Sequence, residues 1–550
     1  RRGKMLALLT LLLVEVANAG LLRFGGLLTE RFGGDDQHVS FTLQGNQSLL
    51  ESHAGSNSTT HFYKNALLDH FGGLSDEKHW LQRYYVDSSQ WGGEGYPVFL
   101  YIGGEGPQGP VSSSLFMYEL AVEHKALVLA LEHRFYGESR PVEDMSDANL
   151  KFLTSHQALG DLARFVEYIK AYDPNVNDAK SSPPLSLPAS AQESPFVAFG
   201  GSYPGNLAAW FKLKYPSVVI GSVASSAPVF AEYDFAEYGE VVGRALSYPL
   251  IGGSDQCYSA VEKAVTTLKT LLDSTTPAGS SDKIPSYLRP CSPIGGPLDL
   301  ATYEAQIFGA FQGVVQYNLE NRPPYVSDLC TAMTDGNDDD DILLRLVKTL
   351  KLVYGGVTCM PSSFEKSVAP LQDAQFSQAG CDLSCSSMRQ WIYQSCHEFG
   401  YFQTTTGDKM NPFAAFDTVT AENAGAAICK AAYNLSASVD YAGPAANAEG
   451  LVANTAYGAR NLAAHNITAV NGNMDPWHSL GIVNASDPFF NAGDSSSRFP
   501  QHVTPSESIV FIDGTAHCRD MYATNVFGQD PEPVSWAHAK IRGNVAAYLA

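Results

Sequence analysis

Short unbroken apolar runs alternate with helical spacing along residues 97–223. Val98–Ile102 ends in Gly103-Gly104-Glu105-Gly106, and Ala126–Leu131 ends in Glu132-His133-Arg134. Phe196–Phe199 is stopped by Gly200-Gly201, and Val218–Val223 follows Pro216. Between them, Leu159–Ile169 and Leu207–Tyr215 carry apolar positions at helical intervals. Strands that are apolar on both faces, separated by helices, predict a parallel sheet covered on both sides. The sheet pattern lapses from about 235 to 455, where helical segments, turn clusters and most cysteines dominate. It returns at Ile467–Val470 and Ile509–Ile512. The expectation is an α/β protein whose sheet domain, residues 61–234 and 456–550, is interrupted by a mainly helical insertion at 235–455.

Ahead of the sheet, residues 20–60 are rich in Gly, Ser and Asn and predict a loose leader or propeptide. Arg1, Arg2 and Lys4 precede the apolar run Leu6–Val14, and Ala17-Asn18-Ala19 offers small residues at a cleavage spacing. Residues 1–19 therefore predict a secretory signal peptide, too short to span a bilayer, with no stable membrane insertion after cleavage. Nine cysteines predict disulfides formed in an oxidising compartment, and the odd number leaves at least one thiol unpaired or paired between chains. Sequons at Asn46, Asn57, Asn434, Asn466 and Asn484 are candidate glycan sites. A destination in the secretory pathway, either extracellular or lysosomal, follows.

A formal charge of −22 argues against nucleic acid as a partner, because nothing basic would neutralise phosphates. The acidic run Asp335–Asp341 lacks the closing Glu of a calcium loop, and Cys381-x-x-x-Cys385 has no second pair at finger spacing. No metal and no cofactor are expected.

The chemistry lies where strands end. In Phe199-Gly200-Gly201-Ser202-Tyr203-Pro204-Gly205, a serine joins a strand to a helix and resembles a nucleophile elbow, with Pro204 where a glycine is usual. A serine hydroxyl needs a base, and the base needs an orienting acid. His517 follows the last apolar run, and Asp475 follows the one before. The order Ser202, Asp475, His517 is that of α/β-hydrolases, and all three sit where open parallel sheets bind ligands. His133 also follows a strand but precedes Ser202, which assigns it to structure; Asp513 is assigned to a turn. Oxyanion donors are expected from the N–H of Tyr203 and from the Gly103–Gly106 loop, at Gly104 or Glu105.

These residues resemble a known family that includes lysosomal Pro-X carboxypeptidase, dipeptidyl peptidase II and thymus-specific serine protease. The similar segments are Leu68–Phe71, Arg83–Tyr85, Tyr101–Pro107, Glu132–Pro141, Gln157–Leu159 with Asp161, Gly200–Tyr203, Asn471-Gly472 with Asp475–Trp477, and Ala516-His517 with Asp520. Arg389–Cys396, Glu398–Gly400 and Cys518 look most like the thymus-specific branch. The resemblance implies an α/β-hydrolase domain under a helical cap, and a secreted or lysosomal serine exopeptidase of carboxypeptidase or dipeptidyl-peptidase type that favours proline before the cut bond. Its partners would be peptide substrates, and self-association into a homodimer is left open. Glu105 or Glu398 would bind an α-amine, while an arginine would bind a carboxylate. Trp477 and Tyr203 would wall an S1 pocket. An esterase or lipase on the same fold, and a catalytically inactive glycoprotein, are the competing expectations.

Overall fold

The computed structural model describes residues 28–29, 39–40, 57–72, 78–275, 277–318, 323–336, 341–376, 387–407, 410–433, 452–483 and 507–550. The signal-peptide segment, the acidic run beyond Gly336 apart from Asp341, Cys381, Cys385, and the sequons at Asn46, Asn434 and Asn484 lie outside the described residues.

Two-residue strands β1 (Leu28–Thr29) and β2 (Val39–Ser40) form a separate ladder. Among the described residues the main sheet has nine strands: β3 (Thr59–Leu67), β4 (His79–Asp87), β5 (Val98–Ile102), β6 (Leu127–Leu131), β7 (Ser181–Ser182), β8 (Phe196–Gly201), β9 (Gly221–Ser225), β12 (Ile467–Gly472) and β13 (Glu507–Ile512). Their order is β13-β12-β9-β8-β5-β6-β4-β3-β7, parallel from β13 through β6 and antiparallel beyond. Helices flank both faces of this sheet, and the arrangement is an α/β-hydrolase fold.

β5 shows why continuous apolar runs were needed. Successive side chains of a strand point to opposite faces. Val98, Leu100 and Ile102 join one core with helices α2 (Ser155–Lys170) and α3 (Tyr203–Lys214), while Phe99 and Tyr101 join another with α1 (Phe116–His124) and the last helix, Glu532–Leu549. Thr154 caps α2 by accepting the Gln157 N–H, satisfying one orphan donor of the first turn.

The sequence placed one strand at Val218–Val223, but it runs from Gly221 to Ser225. Val218–Ile220 instead lie in the bend after Pro216. The outer strands β3 and β4 carried no continuous apolar signal. β3 alternates exposed and buried positions, and β4 keeps Gln82 buried and Arg83 paired with the buried carboxylate of Glu132.

Between β9 and β12 the chain leaves the sheet. The excursion contains α4 (Glu237–Ser247), α5 (Asp255–Asp273), α6 (Pro297–Gln316), α7 (Val326–Thr334), α8 (Ile342–Tyr354), α9 (Met388–Gln394) and a parallel pair of short strands, β10 (Glu232–Phe235) with β11 (Gly400–Gln403). Disulfides Cys257–Cys330, Cys291–Cys359 and Cys396–Cys429 staple it, and Cys518 is the one free cysteine among the described residues. No helix among the described residues is long and apolar enough to cross a membrane.

Candidate active site

Sheet register brings three loops to one edge. Gly201 pairs with Ser225, Ser225 with Val470, and Gly472 with Ile512. Ser202, Asp475 and His517 therefore leave neighbouring strand ends on the same side of the sheet.

Ser202 sits at φ 61°, ψ −133°, a conformation that L-residues rarely adopt. Its N–H donates to Ser225 O at 2.9 Å, which pins the turn to β9. A Cβ on Gly200 would fall 2.1 Å from the Pro204 carbonyl oxygen, and one on Gly205 would fall 2.7 Å from Ser225 O. Side chains there would force strand and helix apart. Pro204 opens α3, where a missing N–H costs nothing. This accounts for the departure from the usual glycine.

His517 Nδ1 lies 2.9 Å from Asp475 Oδ2, with both side chains buried. The second Asp475 oxygen accepts the Trp477 N–H at 2.9 Å, so the acid caps its own turn. Burial opposes the imidazolium, but the Asp475 carboxylate and Cys518 outweigh it and hold the His517 pKa well above the ordinary value. Cys518 lies against the nucleophile turn: a Cβ on Gly201 would stand 2.9 Å from its Sγ. Asp520 accepts the Ser225 hydroxyl at 2.5 Å, and burial pushes its pKa up to about 6.

A Cβ on Gly104 would strike Pro204 Cγ at 2.3 Å, so the Gly103–Gly106 loop packs directly on the turn that follows the serine. Gly103 N donates to Leu131 O, and Gln108 N donates to Glu132 Oε1, which holds both ends of this loop. Glu105 keeps Oε2 buried without a hydrogen-bond partner. Burial pushes its pKa up to about 7 against the opposing charge of His517.

The remaining predicted residues fall variously. Trp477 is buried with its ring 6.4 Å from that of His517 and edge-on to Tyr401. Tyr203 turns away: its hydroxyl meets His133 Nε2 and Gln394 Nε2, and its ring packs on Trp391 and Phe399. Glu398 accepts from the Ser155 N–H and from the Ser155 hydroxyl at 2.8 Å, one bond on each oxygen. It ties the excursion to the start of α2. Asn57 is exposed, and Asn466 donates an Nδ2–H to Ile220 O at 2.9 Å. His133 is buried and Asp513 accepts from Tyr248 and Asn473, both in structural roles. Among the described residues no cluster of His, Cys, Asp or Glu is arranged to hold a metal.

Two site residues had no sequence signal. Gln316 O accepts the His517 N–H at 2.9 Å, and the Tyr317 ring stands edge-on to His517 at 6.0 Å.

Sheet order and elbow define the class: an α/β-hydrolase with a serine at the sharp turn. The family described as Serine carboxypeptidase S28 matches residues 66–541, and the chain belongs to that family. It is a serine-type peptidase. It is 35% identical to the thymus-specific serine protease of Homo sapiens over 83% of this chain and 80% of that one. It is 27% identical to the lysosomal Pro-X carboxypeptidase of Mus musculus, over 85% and 84%. Among solved structures, it is similar to the proline iminopeptidase of Mycobacterium smegmatis at 8% identity and TM-score 0.33, over 89% of this chain and 99% of that one.

Proposed function

We propose that this peptidase acts through a Ser202–His517–Asp475 triad and an acyl-enzyme, as an exopeptidase that favours proline before the scissile bond. The observation that carries this reading is the buried His517–Asp475 contact at the same edge of the sheet as the strained serine turn. His517 Nε2 takes the Ser202 proton as Oγ attacks the substrate carbonyl. The N–H groups of Tyr203 and Gly104 receive the oxyanion. His517 then returns the proton to the leaving amine, and the C–N bond breaks. Water, deprotonated by His517, attacks the acyl ester and releases the acid while Ser202 regains its proton.

The excursion between β9 and β12 acts in this reading as a cap at 235–455 that roofs the cleft and admits chain ends. Three disulfides within it support a secretory or lysosomal setting. Trp477, with Tyr401 and Phe235 around it, supplies aromatic faces that suit a rigid, apolar pyrrolidine ring. Glu105, with one oxygen unpaired, is the carboxylate suited to a substrate α-amine. The test is cleavage of peptides differing only in Pro, Ala or Leu before the scissile bond, with free and blocked ends. Rapid internal cutting of doubly blocked peptides would refute exopeptidase action, and equal rates for the three residues would refute the proline pocket.

A further inference from the structure

Helix α6 ends at Gln316, and the last carbonyls of a helix have no partner within it. The Gln316 carbonyl finds one in the backbone N–H of His517, at 2.9 Å. Its side chain is buried as well. Oε1 accepts from the Tyr238 hydroxyl on α4 at 2.6 Å and from Trp477 Nε1 at 3.0 Å. Nε2 donates to the Tyr317 hydroxyl at 2.7 Å, and the Tyr317 ring is the one edge-on to His517.

Those contacts converge on both halves of the acid–base pair. Trp477 belongs to the turn that Asp475 caps, so fixing its indole fixes the acid. The carbonyl fixes the backbone of the base, and Tyr317 limits the swing of its ring. A side-chain amide is suited to this post, because its oxygen can accept twice while its nitrogen donates. Glutamate would keep both acceptor bonds and lose the donor; methionine would keep the volume and lose all three.

We propose that Gln316 is a positioning residue through which the end of α6 sets the His517 imidazole against Asp475. The inference rests on His517 being the base, as read above. Its claim is that part of the catalytic geometry is supplied by the excursion and not by the sheet.

Gln316→Met, Gln316→Glu and Tyr317→Phe are compared with wild type, with Ser202→Ala and His517→Ala alongside. The readouts are kcat and KM separately, the pH profile of kcat/KM, the fluorophosphonate labelling rate and the melting temperature. Gln316→Met should lower kcat about 10- to 100-fold with KM within about twofold, the signature of a misplaced catalytic group. Gln316→Glu adds a negative charge to those of Asp475, Glu105 and Asp520 around His517, with the neutral Cys518 thiol beside it. It should move the acid limb to higher pH and recover most of the labelling rate above that limb. Tyr317→Phe should show a smaller kcat loss, and this arm and Gln316→Glu decide the matter if the methionine variant does not fold. Wild-type kcat and an unmoved acid limb in folded Gln316 variants would overturn the proposal, even with a lowered melting temperature. Activity surviving in His517→Ala would instead overturn the assignment of the base.

Discussion

His517 Nδ1 and Asp475 Oδ2 stand 2.9 Å apart, sealed from solvent, and the other Asp475 oxygen is held by the backbone of Trp477. In the proposed triad the acid is therefore fixed by its own turn before it fixes the base. Asp475→Asn should leave the fold intact and cut kcat by roughly 10⁴-fold, because the amide favours the wrong imidazole tautomer. Asp513→Asn should have little effect on kcat, since Asp513 is exposed and bonded to Tyr248 and Asn473. Steady-state kinetics on the two variants checks the choice of carboxylate.

The same contact predicts a pH dependence. The base must be neutral to accept the serine proton, and the His517 pKa lies well above the ordinary 6.5. kcat/KM should therefore fall as pH drops through that raised value, and Asp475→Asn should move the limb down. Stability runs the other way. A pKa raised by folding gives stabilisation that is complete below the unfolded-state value near 6.5 and is lost as pH rises through the folded-state value. A kcat/KM profile and denaturation midpoints over the same pH range should show both slopes.

Gly200 tests the elbow. Its missing Cβ would meet a backbone oxygen of Pro204, which cannot move without displacing α3. Gly200→Ala should destabilise the protein by about 1–3 kcal/mol and slow fluorophosphonate labelling. Gly201→Ala should cost less stability, because the nearest obstacle is the flexible Met521 side chain, at 2.0 Å. Chemical denaturation of both variants gives the ranking.

Arg134 is fully buried, with Nε and Nη2 donating to both oxygens of Asp161 and the remaining N–H groups taken by Leu67, Leu68 and Phe152 carbonyls. Asp161→Ala would strand that charge, at a cost of about 3–5 kcal/mol. Burial pushes the Asp161 carboxyl up, but Arg134 and His70 together pull it below its ordinary value. Stabilisation from it should thus be present above the ordinary carboxylate range and be lost only as pH falls through the depressed folded-state value. Thermal melting from pH 7 downward, wild type against variant, measures both.

What the sequence disclosed follows from how local each signal is. The turns that carry Ser202, Asp475 and His517 were legible because each follows a buried strand, where glycine and polar punctuation are conspicuous. β5, β6 and β8 were legible because both faces are buried. β3 and β4 were not, because outer strands alternate and Arg83 serves an ion pair with Glu132. The tie between Glu398 and Ser155 was hidden because the two are 243 residues apart. Gln316 was hidden for the same reason: its bond to Trp477 spans 161 residues, and no spacing rule connects them.

The most direct test of the central claim is mass-spectrometric mapping of a fluorophosphonate adduct on the intact protein, with peptide turnover followed in parallel. One adduct on Ser202, blocked turnover, and loss of both in Ser202→Ala of unchanged melting temperature are predicted. An adduct on another serine, or turnover persisting in Ser202→Ala, would contradict the account.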